Sequence, residues 1–283
     1  MKLEAKTAPL WIAGIYLLCE AGKDLEFLVL KTDQTVLGEN IFCKLLALAV
    51  IGASLRTLHL SWGALGFRVR GFLRGAALGL ALGVFTFAVS YGAEFLVLRG
   101  MGLHPRLAFY IANFALTGPN ITGVTLPALA ICLAGNALNV WAEEGLFRGL
   151  LFRLGRQAFS ARGANFLQAL LFGLWHVVVV VGWVLDGSME VPAAVGMALG
   201  YVVLAGVLGY EWGLCALLTG TLWTGVWEHF FNNFITNALH VVTETGADEL
   251  QVLRIVLSNV LSLLLVLAAK AWCQRRAQRA GGE

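Results

Sequence analysis

The sequence predicts an all-α fold, a polytopic membrane helical bundle of about eight transmembrane helices. Three observations carry that prediction. Charged side chains are 13% of the 283 residues, 20 Lys+Arg and 17 Asp+Glu, against roughly a quarter in soluble domains. Apolar residues reach 59% and the mean hydropathy is +0.78, so too little polar surface remains to cover a water-exposed domain. The apolar residues also arrive in blocks near the roughly 20 needed to cross a hydrocarbon core. A soluble globular enzyme, a disordered chain and a collagen are all excluded. A net charge of +3 without a long basic run argues against nucleic acid as a partner, and the expected partner is the lipid bilayer.

In chain order, the first block is 8–31. Its apolar run is short before Glu20, Lys23, Asp24 and Glu26, which suits a tilted or partly interfacial span. Lys2 and Lys6 ahead of Ala8 to Cys19 superficially resemble a signal peptide, but no small-residue cleavage site follows, and the segment is expected to be retained. The further blocks are 38–55, 72–98, 122–147, 164–185, 193–212, 214–235 and 251–270. Gly71, Gly75, Gly79 and Gly83 recur every four residues, a stripe that lets another helix approach closely. Segment 104–121, with Pro105, Gly118 and Pro119, fits neither a span nor a polar loop and is expected as a re-entrant or interfacial piece on the outer face. Arg56, Arg68, Arg70 and Arg74, then Arg153, Arg156 and Arg162, then Lys270, Arg275, Arg276 and Arg279 mark the cytoplasmic side. Asp186, Glu190, Glu244, Asp248 and Glu249 fall on the other, so both termini are expected in the cytoplasm. Cys19, Cys43, Cys132, Cys215 and Cys273 form no CxxC pair, and they read as small hydrophobes rather than ligands or disulfides.

An ionisable residue inside an apolar span is costly and is a functional candidate by default. Three places qualify: Glu143, Glu144 and Arg148; Trp175 and His176; and His229 with Asn232 and Asn233. Glu144 and Arg148 lie four apart on one helix face, acid before base, the favoured ion-pair orientation. Glu143 points about 100° away and lacks that intrahelical partner, which leaves it available as a general base. His176 can hold the water that Glu143 deprotonates. His229 and Asn233, also four apart, can present two donors to a developing oxyanion. Glu228 is expected to pack or sit at an interface, Asn136 and Asn139 are possible supporting donors, and Trp175, Trp223 and Trp227 are expected as bulk lining a cavity.

Glu143-Glu144-x-x-x-Arg148, Phe172-x-x-x-His176 and His229-x-x-x-Asn233, in that order within apolar spans, resemble the signatures of the CAAX-protease and bacteriocin-processing family, the Abi or Rce-type glutamic intramembrane endopeptidases. The resemblance covers about 120 to 233. It implies an eight-helix fold around a cavity open toward the cytoplasmic leaflet, with Glu143 catalytic, Glu144 its neighbour, Arg148 structural, His176 activating water, and His229 and Asn233 as oxyanion donors. It also implies hydrolysis of a peptide bond near a membrane-anchored or lipidated C-terminal segment. On this reading residues 1–120 are N-terminal helices of unclear role, 121–240 the catalytic core, and 241–283 the last span and basic tail. One Glu and two His could hold zinc, but there is no HExxH and the ligands would come from three helices; a metal-free mechanism with no cofactor is favoured. The compact loops suggest a prokaryotic inner membrane. The rival functions are a non-catalytic membrane scaffold or regulator and a proton-coupled transporter using the Glu/His set, although no inverted repeat is present.

Overall fold

The computed structural model describes residues 5–34, 40–112, 125–246 and 248–280. Its elements are α1 (Ala8–Leu25), α2 (Phe42–Leu58), α3 (Trp62–Leu65), α4 (Phe72–Gly100), β1 (Arg106–Phe109), α5 (Leu126–Glu143), α6 (Phe152–Ala158), α7 (Ala161–Leu174), α8 (Val177–Leu185), α9 (Val191–Thr219), α10 (Trp223–Ala238), β2 (Leu239–Val242) and α11 (Gln251–Ala280). Local chemistry sets many of the ends. Thr125 and Ser160 accept from backbone N–H groups in the first turns of α5 and α7, and prolines sit in the first turns of α1, α5 and α9, where a missing N–H costs nothing.

Among the described residues, five helical segments are long and apolar enough to cross a membrane: Phe72–Gly100, Leu126–Ala158, Ala161–Leu185, Val191–Thr219 and Gln251–Arg279. The protein is an integral membrane protein with an all-α bundle. Leu73, Phe85 and Leu96 of α4 and Val191, Leu199 and Val203 of α9 are outward-facing and exposed, as a lipid-facing surface requires. The three shorter helices α1, α2 and α10 pack into the same bundle: α1 against α2 and α6, α2 against α5, and α10 against α4, α5 and α9.

Three boundaries differ from the sequence expectation. The blocks 193–212 and 214–235 are divided at Gly220 (φ +73°), not at Gly213. Gly213 lies inside α9, where Asn165 occupies the space a Cβ would take; it is a packing glycine, not a break. Block 164–185 is interrupted at Trp175 and His176, between α7 and α8. Residues 106–109 of the expected re-entrant segment form a strand, paired antiparallel with β2 from Arg106↔Val242 to Phe109↔Leu239; 113–121 lie outside the described residues.

Candidate active site

The glycine stripe of α4 positions the site. A Cβ at Gly75 would meet Trp223, one at Gly79 would collide with the Thr224 carbonyl and crowd the Glu228 amide, and one at Gly83 would meet Phe231. These contacts let α10 lie directly on α4 and fix where His229 stands along it. Gly71 is not part of the helix; it caps α4 with φ +109°. On the partner wall, α5 runs to Glu143 and continues as a π-helical stretch, Glu144–Leu151, wider than an α-turn and often found at functional sites.

Glu143, Glu144, Arg148 and His229 converge, each 6% exposed or less. His229 Nδ1 lies 3.0 Å from Glu144 Oε1 and its Nε2 3.6 Å from Glu143 Oε2, so one imidazole spans both carboxylates. Arg148 Nε is 3.5 Å from Glu144 Oε1, the expected ion pair. Its guanidinium also lies 3.9 Å from the Phe172 ring centroid and 4.8 Å from that of Trp212, within cation–π range. Trp212 in turn stacks on His229, centroids 4.0 Å apart at 17°.

Glu143 is not unpartnered as its own helix face suggested. The Trp175 indole N–H donates to its Oε1 at 2.9 Å, so Trp175 is a hydrogen-bond donor to the site and not bulk alone. His176, next in the chain, uses Nδ1 against the Phe172 carbonyl at 2.8 Å. A carbonyl only accepts, so Nδ1 carries the proton and Nε2 is left for another partner. Asn233 is half-buried one turn beyond His229; its backbone carbonyl accepts from Thr236. Asn136 donates to Cys132 Sγ on its own helix, which gives no sign of a supporting role.

Two groups went unnoticed in the sequence. Lys23 of α1 is buried and donates to the Trp175 carbonyl at 2.6 Å. Glu211 of α9 is fully buried, and the Ser262 hydroxyl contacts both it and Glu228; Glu228 is therefore an internal residue, not an interfacial one. The donor atoms of Glu211, Cys215 and Glu228 lie within 4.8 Å of one another. A lone glutamate within an apolar block was the available signal for Glu211. Lys23 had none beyond its place among four charges.

The fold and this buried Glu/His/Arg cluster define a membrane-embedded class of site, carboxylates and imidazoles held in a helical bundle. Residues 125–235, from the start of α5 to the last turn of α10, match the family described as Rce1-like, type II CAAX prenyl endopeptidase. This is the family that the three motifs resemble, and at family level it supports a CAAX-type intramembrane endopeptidase. No curated protein and no solved structure matches the chain.

Proposed function

We propose that the protein hydrolyses a peptide bond near a membrane-anchored or lipidated C-terminal segment, using water activated by Glu143 and His176. The observation that carries the proposal is the pairing pattern at Glu143. Its Oε1 is held by the Trp175 indole, while among the described residues Oε2 faces His229 Nε2 at 3.6 Å, too long for a hydrogen bond. That oxygen is free to take a proton from water. His176, with Nδ1 committed to the Phe172 carbonyl, offers Nε2 to the same water.

The water oxygen then bonds to the carbonyl carbon as its proton passes to Glu143. The oxyanion that forms is met by Asn233 and by the Nε2 side of His229, whose other nitrogen is anchored on Glu144. Collapse breaks the C–N bond, and Glu143 returns its proton to the departing amine. Arg148 and Glu144 touch no reacting atom; they hold His229 in place. Residues 121–240 supply this chemistry, and the termini face the cytoplasm, which suits a substrate anchored in the cytoplasmic leaflet of a prokaryotic inner membrane. Compared with wild type, membranes carrying Glu143→Gln should accumulate an uncut precursor, with cleavage reduced about 10²–10⁴-fold and the protein equally abundant. Equal precursor in the two membranes would remove the protease reading and leave the scaffold.

A further inference from the structure

Lys23 lies on α1, outside the residues that match the family, yet it reaches Trp175, the residue whose indole holds Glu143. It is 4% exposed, and a buried ammonium is costly unless its donors are used. Its Nζ donates to the Trp175 carbonyl at 2.6 Å and lies 4.3 Å from the Trp175 ring centroid and 5.3 Å from that of Phe27.

That carbonyl is available because the helix is broken there. α7 ends at Leu174, α8 begins at Val177, and the amide of Val179, which would cap the Trp175 carbonyl in a continuous helix, bonds to His176 instead. A buried carbonyl without a partner would be unfavourable, and Lys23 supplies the partner. The two residues at the break are Trp175, whose indole holds Glu143, and His176. The charged and titratable groups around the ammonium include Glu143 on α5, His176 at the break, Glu20 and Asp24 on its own helix, and Cys43 and Lys44 on α2.

We infer that Lys23 is a positioning residue: its ammonium caps the Trp175 carbonyl and so holds the break that presents Trp175 and His176 to Glu143. The inference rests on the reading of Glu143 as the base, and it makes the N-terminal helix a working part of the site. Lys23→Met keeps an unbranched side chain one atom shorter and removes the donor and the charge. A merely structural lysine predicts a lower melting temperature with turnover per folded molecule unchanged, since removing one partner of a buried polar contact costs stability.

The test uses purified full-length protein in proteoliposomes with a prenylated fluorogenic peptide ending in a CAAX motif. Lys23→Met is expected to lower kcat about 10–100-fold, the effect of one hydrogen bond to a charged group. KM should stay at or near wild type, kcat is taken per folded molecule so that a fall in melting temperature from the uncapped carbonyl is kept apart from turnover, and Lys23→Arg, which retains donor and charge, should recover most of the loss. Wild-type kcat in Lys23→Met overturns the inference, as does Lys23→Arg being as slow as Lys23→Met. If Lys23→Met does not fold, Lys23→Leu against Lys23→Arg makes the same comparison. Glu143→Gln is assayed alongside: full cleavage by that variant sinks the protease reading, whereas loss in Glu143→Gln with none in Lys23→Met sinks only the role of Lys23.

Discussion

Arg148 and Arg254 are buried to nearly the same degree, 2% and 1% exposed, but their surroundings differ. Arg254 of α11 donates to Glu94 of α4 and through two nitrogens to Asp248. His240 of β2 contacts Asp248 at 3.1 Å and stacks on Tyr110, centroids 3.8 Å apart. This network ties α4, β2 and α11 together. Arg148 has one carboxylate at 3.5 Å and two aromatic faces, and none of its three guanidinium nitrogens makes a hydrogen bond among the described residues. The Arg254 network is the more fully bonded, though Arg254 Nε and Glu94 Oε1 have no hydrogen-bond partner among the described residues; a densely bonded network fixes geometry, while a loosely satisfied one leaves electrostatic capacity beside the candidate site.

The sharpest way to break that comparison is to remove each arginine. Arg254→Met leaves Glu94 and Asp248 buried without their cation and should cost about 3–5 kcal/mol, read as a lower unfolding midpoint in detergent, with turnover per folded molecule retained. Arg148→Met should show the reverse balance, little change in midpoint and lost turnover; equal stability losses would erase the distinction. A smaller effect is expected at the α4–α10 contact. Gly79→Ala forces a Cβ against the Thr224 carbonyl and should destabilise by about 1–3 kcal/mol, with activity falling along with stability because His229 moves. A midpoint unchanged by Gly79→Ala would show that α10 can retreat freely.

The smallest effect is a pH dependence. Burial pushes the Asp248 carboxyl up, but hydrogen bonds from His240 and Arg254 and the charge of the arginine outweigh it and hold the group below the usual carboxylate range. A depressed folded-state value gives stability that is present above the unfolded value, about 3.9 for Asp, and lost as pH falls through the lower folded one. The difference in midpoint between wild type and Asp248→Asn should therefore be constant from about pH 5 to 8 and shrink below about pH 4. A difference that already shrinks at neutral pH would assign it to another group.

The bundle was legible because composition and block length report directly on lipid, and the Glu144–Arg148 pair because four-residue spacing is a property of one helix. What lay beyond reach were contacts between helices distant in sequence. The indole of Trp175 on Glu143 spans 32 residues and Lys23 on the Trp175 carbonyl spans 152, and no local pattern encodes either. Gly213 misled because a glycine that admits a neighbouring side chain and one that ends a helix look alike in sequence; only the turn at Gly220, with its positive φ, separates them. The β1–β2 pairing was missed because four-residue strands at the edge of an apolar bundle carry too short an alternation to register.

His229 as the link between two glutamates also has a meaning for biosynthesis. At translation rates of about 5–20 residues per second, the 86 residues from Glu143 to His229 take about 4–17 s to emerge. Through that interval the end of α5 and the π-helical turn after it carry two carboxylates with no imidazole between them. The buried cluster is therefore completed only when the tenth helix arrives, late in the insertion of the chain.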